Sequence, residues 1–142
     1  SVHSTTSVID GLSEYLGRGY TYRAREVREA IDTATAVLLA RHLYQRRSTG
    51  EPIRAEFTRL HHPARWHFDV IRGLDVLRSA GAAYDDRLDA AVGLIRRRRR
   101  PDGRWSAAAQ YPGHVHVAYP RAGEPNRWVT LRALRVLAWA AS

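Results

Sequence analysis

The chain has 142 residues, 44% hydrophobic and 26% charged, which suits one domain with its own core and no need of covalent staples. It contains no cysteine, so disulfides and thiolate-held metals are excluded. The net charge is +9 with histidine neutral, and all 23 basic residues are arginine; such a balance attracts anions in general without selecting phosphate, acidic lipid or nucleic acid.

No apolar run approaches the roughly 18 to 20 residues that span a bilayer, so no transmembrane segment is expected. The opening Ser1-Val2-His3 has neither an initiator methionine nor a signal pattern. A cytoplasmic location is expected, for a chain that is part of a longer protein or a processed product.

Helical segments follow one another along the chain. Ser4, Thr5 or Thr6 can cap the first, which carries Val8-Ile9-Asp10-Gly11-Leu12. The second is expected from Glu26 to Arg47, where Val27, Ile31, Ala34 and Leu38 form one face, widened by Ala30, Val37 and Leu39. The third, Val70-Ile71-Arg72-Gly73-Leu74, repeats the first. Asp85 or Asp86 caps the fourth, with Leu88, Ala91, Val92 and Ile95 on one face and Pro101-Asp102-Gly103 as its stop. The stretch His114 to Tyr119 alternates polar and apolar residues between Pro112-Gly113 and Pro120, and reads as extended loop. Asn126 caps the last helix, in which Leu131 to Leu137 echoes Ile71 to Leu77. Because Ala36 to Arg41 also matches Ala91 to Arg96, the order is A-B-A-B-A. The expected fold is all-α, helical-hairpin repeats in a single domain over 1–142.

The segment Arg99-Arg100-Pro101-Asp102-Gly103-Arg104-Trp105 resembles the end of the QW repeat, Gln-x-x-x-Gly-x-Trp, of the squalene–hopene cyclase and protein prenyltransferase superfamily, with Arg99 at the glutamine position. His61 to Leu77 likewise resembles bacterial squalene-cyclase-like proteins. The resemblance implies a partial α/α toroid, the C-terminal fragment of a larger ring, with Trp105 packed between hairpins. It implies neither known chemistry. The acid motif Asp-x-Asp-Asp is reduced here to Asp85-Asp86, and the prenyltransferase zinc needs a cysteine.

The three A helices open on polar and aromatic segments, expected at one rim of the array. There Trp66 and Trp128 offer flat walls, and Arg65, Arg72 and Arg127 offer forks for carboxylate or phosphate. These five are the candidate ligand-binding residues. His62 or His67 beside Asp69 forms a candidate acid–base pair, so these three are the candidate catalytic residues. The plainer reading makes Asp69 a helix-start residue or the partner of Arg72. His61, His62, His67 and Asp69 fit no zinc spacing, nor does His114-x-His116; no metal is assigned and no cofactor is implied. Arg96 to Arg100 lacks interleaved aromatics and reads as a solvated helix end, which disfavours nucleic acid.

The expected function is binding of a hydrophobic or polycyclic small molecule, with an anionic or carbonyl group, at the rim of the toroid's cavity. The rival is a non-catalytic scaffold binding a protein or the missing N-terminal part of its own ring. A basic nucleic-acid-binding module is the third reading.

Overall fold

The apolar stripes fold into five helices in the computed structural model, which describes residues 1–142. They are α1 (Val2–Gly17), α2 (Ala24–Ala40), α3 (Val70–Ser79), α4 (Asp89–Arg97) and α5 (Arg127–Ala140). Short 3-10 turns occupy Ala55–Thr58 and Asp86–Leu88. There is no sheet, only isolated bridges at Gln45–Pro52 and Ser106–Pro125. The all-helical expectation therefore holds, and His114 to Tyr119 is loop.

The helices read as A segments pack in a row, α1 on α3 and α3 on α5. Helix α2 lies against α1, and α4 against both α3 and α5. One apolar cluster runs through all five, from Val2 and Ile9 through Leu38, Leu74 and Ile95 to Val136. Where α3 meets its neighbours the approach is close. A Cβ added to Gly73 would lie 2.7 Å from Phe68 Cε2 and 3.1 Å from Leu43 Cδ1, so only glycine fits without displacing a core ring.

Caps set the helix limits, and two of them differ from expectation. Asn126 caps α5 as expected, its Oδ1 accepting from Trp128 N–H and Val129 N–H; Asp85 Oδ1 accepts from Arg87 N–H and so caps the 3-10 turn leading into α4, whose own N-cap, Leu88, makes no side-chain bond. Ser4, Thr5 and Thr6 do not cap α1. They lie inside it, after an N-cap at Ser1, and Thr5 and Thr6 hydroxyls donate back to Ser1 O and Val2 O at 2.9 and 2.7 Å.

Helix α2 stops at Ala40 instead of reaching Arg47. His42 and Leu43 take positive φ values of 45° and 72°, Leu43 N–H donates to Leu38 O, and His42 N–H donates to Leu39 O. This pair of bonds is a Schellman closure, and the apolar contact that accompanies it joins Leu38 to Leu43, both fully buried. Continuing the helix would have carried Leu43 and Tyr44 out of the core. Helix α3 closes in the same way through Gly81, whose φ is 77°.

Trp105 joins α4 to α5. It is fully buried, its Nε1 donates to Ile95 O at 2.8 Å, and its N–H donates to Thr130 Oγ1 at 3.0 Å. Asn126 N–H returns a bond to Trp105 O at 2.7 Å. The Arg99 guanidinium lies over the indole at 5.1 Å while its Nε donates to Gly103 O, so arginine at this position still ties the turn to the ring. Trp105→Ala is expected to lower stability by about 3–5 kcal/mol in urea melts, the usual cost of deleting a buried aromatic side chain.

Candidate functional site

Asp69 organises the approach to α3. It is the N-cap, 1% exposed, and both carboxylate oxygens are engaged. Oδ1 accepts from Arg72 N–H at 2.9 Å; Oδ2 accepts from His61 N–H at 2.9 Å and lies 3.2 Å from His61 Nδ1. Asp69 is thus buried and saturated, not a carboxylate lining an open surface. Its histidine partner is His61, not His62 or His67, which corrects the expected acid–base pairing. The reason is where each ring is held: His61 meets Asp69 through its N–H and its ring, while His62 lies against Trp128 and His67 between Trp66 and Tyr111.

Two ring clusters follow. In the first, rings stack from the surface inwards: Trp66 on His67 at 3.9 Å, His67 on Tyr111 at 3.6 Å, and Tyr111 on His61 at 4.6 Å. Trp66 is 65% exposed. His3, at the start of α1, touches Trp66, and its Nδ1 accepts from Phe68 N–H at 2.9 Å. Arg72 braces this cluster by donating to His67 O and Ser7 Oγ. In the second cluster, His62 lies parallel to Trp128 at 5.0 Å, Tyr119 stands edge-on to both, and the Arg127 guanidinium sits 5.4 Å above Trp128. Of the eight expected residues, Trp66, His67, Asp69 and Arg72 belong to the first cluster, and His62, Arg127 and Trp128 to the second. Arg65 belongs to neither: its Nη2 donates to His114 O, and its guanidinium fills the space over Gly113.

The second cluster has two features that its sequence did not announce. Three buried side-chain nitrogens lack a hydrogen-bond partner, His62 Nδ1, Asn126 Nδ2 and Arg132 Nη1. All belong to residues around Trp128: His62 stacks on it, Asn126 caps its N–H, and Arg132 lies one turn further along α5. Separately, a cleft of about 360 Å³ opens between Pro120, Pro125, Leu131 and Leu134, with Arg104 and Arg127 at its edges. Its residues come from three separated stretches of chain. This cleft is not lined by Trp66, Asp69 or Trp128 themselves.

No group of three or more metal-ligating side chains is arranged to hold an ion. In the arginine run, Arg99 and Arg100 are tied to the following turn, Arg100 Nη1 donating to Ser106 Oγ and Gly123 O. Arg96, Arg97 and Arg98 are exposed. The one ring the run touches, Trp105, is buried and cannot stack on a base.

Burial holds three histidines below the ordinary pKa of 6.5: His62, with Arg132 adding to the effect; His67, with His61 adding; and His3, with His67 adding. Each is harder to protonate folded than unfolded. Their contribution to stability is therefore complete above 6.5 and is lost as pH falls below it towards the lowered folded values. Urea melts between about pH 7.5 and 5 should show that loss, and His3→Gln with His67→Gln should flatten it. At Asp69, asparagine keeps an oxygen for Arg72 N–H but sets an NH₂ against His61 N–H. Asp69→Asn is expected to cost about 1–3 kcal/mol in the same melts, the penalty of an unmatched buried donor.

No family model, curated protein or solved structure matches the chain, so its function is to be inferred from these side chains.

Proposed function

We propose that the chain is a segment of an α/α-toroid-like array and binds a flat hydrophobic ligand with an anionic or carbonyl group beside Trp128, where α5 begins. Support for the array comes from the row α1–α3–α5, whose N-terminal ends lie on one side: His3 touches Trp66 ahead of α3, and His62 touches Trp128 in α5.

One observation carries the ligand reading. The cleft between Pro120, Pro125, Leu131 and Leu134 has apolar walls and two edge arginines, Arg104 and Arg127, and Arg127 also lies over the Trp128 indole. Binding sites for small molecules combine mostly apolar walls with a few convergent polar groups, and the cleft falls in the usual volume range. Arg104 and Arg127 at its edges are donors only, so the complementary group is an acceptor: a carbonyl, carboxylate or sulfate. Prolines and leucines on the walls favour a rigid ring system over a flexible polar one. No acid–base step is assigned, because Asp69 and His61 already satisfy each other and the cap of α3.

A soluble steroid sulfate and the same steroid without its sulfate are suitable probes, followed by calorimetry and tryptophan fluorescence. The sulfate form should bind the more tightly. Arg127→Gln should weaken it by about tenfold or more, as loss of a charged hydrogen bond does. Trp128→Leu should weaken both forms, and Trp66→Leu neither. Absence of binding by either steroid, or loss through Trp66→Leu alone, would refute this assignment.

A further inference from the structure

The helix pair α1–α2 is built differently from the rest of the molecule. Between Asp10 and Val37 no residue is buried. The two helices pack on each other, and nothing covers their shared outer face. Yet the pair is well braced: Tyr15 OH donates to Tyr22 O at 2.9 Å, and the Tyr15 ring stacks on Tyr20.

Comparison with α3 shows what is uncovered. Val8, Gly11, Leu12 and Tyr15 occupy the positions of Val70, Gly73, Leu74 and Leu77 in the repeated pattern, one helical face in each case. In α3 all four are buried, and Gly73 is filled by Phe68 and Leu43. In α1, Val8 is 50% exposed and a Cβ on Gly11 would meet nothing within 4 Å. Gly11, Leu12 and Tyr15 instead form one wall of a groove of about 460 Å³, and Tyr22, just before α2, with Val27 and Ala30 of α2 forms the other.

Charge limits what can lie there. Residues 1–40 carry five acidic and four basic side chains, so the whole positive excess of the chain resides in 41–142. Two copies meeting through any other face would bring strongly cationic surfaces together, whereas the helix pair is close to neutral. Its groove is also self-complementary, because Arg23 and Glu26 stand side by side on its wall as an ion pair. A two-fold axis through the groove lets each member of that pair meet its opposite charge across the interface, as an isologous contact requires.

We propose that two copies of the chain associate groove to groove through α1 and α2, forming an antiparallel four-helix bundle with Leu12, Tyr15, Val27 and Ala30 at its centre. Two stacked hairpins are the smallest arrangement that gives such a pair a closed core. The contact is independent of the ligand proposed beside Trp128, and the second copy takes the place on α1–α2 that a further hairpin of the array would fill.

Sedimentation equilibrium on the 142-residue chain tests this. The expected result is a reversible rise from the 16.1 kDa monomer to twice that mass with increasing concentration. Leu12→Glu should raise the dissociation constant at least about 100-fold, with helix content by circular dichroism unchanged. Leu134→Glu, on the exposed face of α5, should leave it unaltered. Because the chain has no cysteine, Ala30→Cys introduces the only thiol, and mild oxidation should yield a disulfide-linked dimer. A chain that stays monomeric up to about millimolar concentration, with no cross-link at position 30, overturns the proposal. So does a dimer that survives Leu12→Glu and is lost in Leu134→Glu.

Discussion

A single indole decides how the second half of the chain is arranged. Trp105 holds the last carbonyls of α4 through Ile95 O and the first turn of α5 through Thr130 and Asn126. A buried indole N–H must find an acceptor, and the only acceptors near a helix end are carbonyls that the helix itself leaves free. The bond therefore satisfies two orphans at once and sets the angle between two helices. Arg127, Trp128 and Thr130 are carried on α5, so the candidate ligand site inherits its geometry from a residue that does not line its cleft.

A comparable dependence links Asp69 to the two ring clusters. By accepting from His61 and Arg72, Asp69 fixes the chain that enters α3 and the turn that leaves it. With His61 held inwards, His62 is turned towards α5 and meets Trp128. One buried carboxylate thus separates two adjacent histidines into different surroundings, and neither Trp66 nor Trp128 needs to share a cavity with it.

The helices themselves were legible in sequence because their information is local: apolar spacing in α2 and α4, an asparagine before α5, an aspartate before the turn into α4. Trp105 was expected between hairpins from the resemblance of its Gly-x-Trp turn to the QW repeat, and the ring is buried against α4. What was not legible is non-local. Nothing in His61-His62 tells which ring faces Asp69, since the answer depends on Tyr111 and Trp128, far along the chain. The cleft by Arg127 is likewise assembled from stretches around Arg104, Pro120 and Leu131 that no spacing connects. The early end of α2 was missed for the opposite reason: Leu43 and Tyr44 continue an acceptable helical pattern, and no glycine or proline marks the break.

That break rests on His42, which takes the left-handed conformation otherwise supplied by glycine at such a helix end. Histidine is among the few side-chain-bearing residues enriched there. Its φ sends Leu43 back into the core, where Leu43 shares with Phe68 the space over Gly73. The hand of one torsion in α2 therefore sets how near α3 can lie, and substitution tolerance at position 42 should follow backbone chirality: glycine or asparagine acceptable, valine not. An imidazole can serve a fold through the backbone conformation it permits.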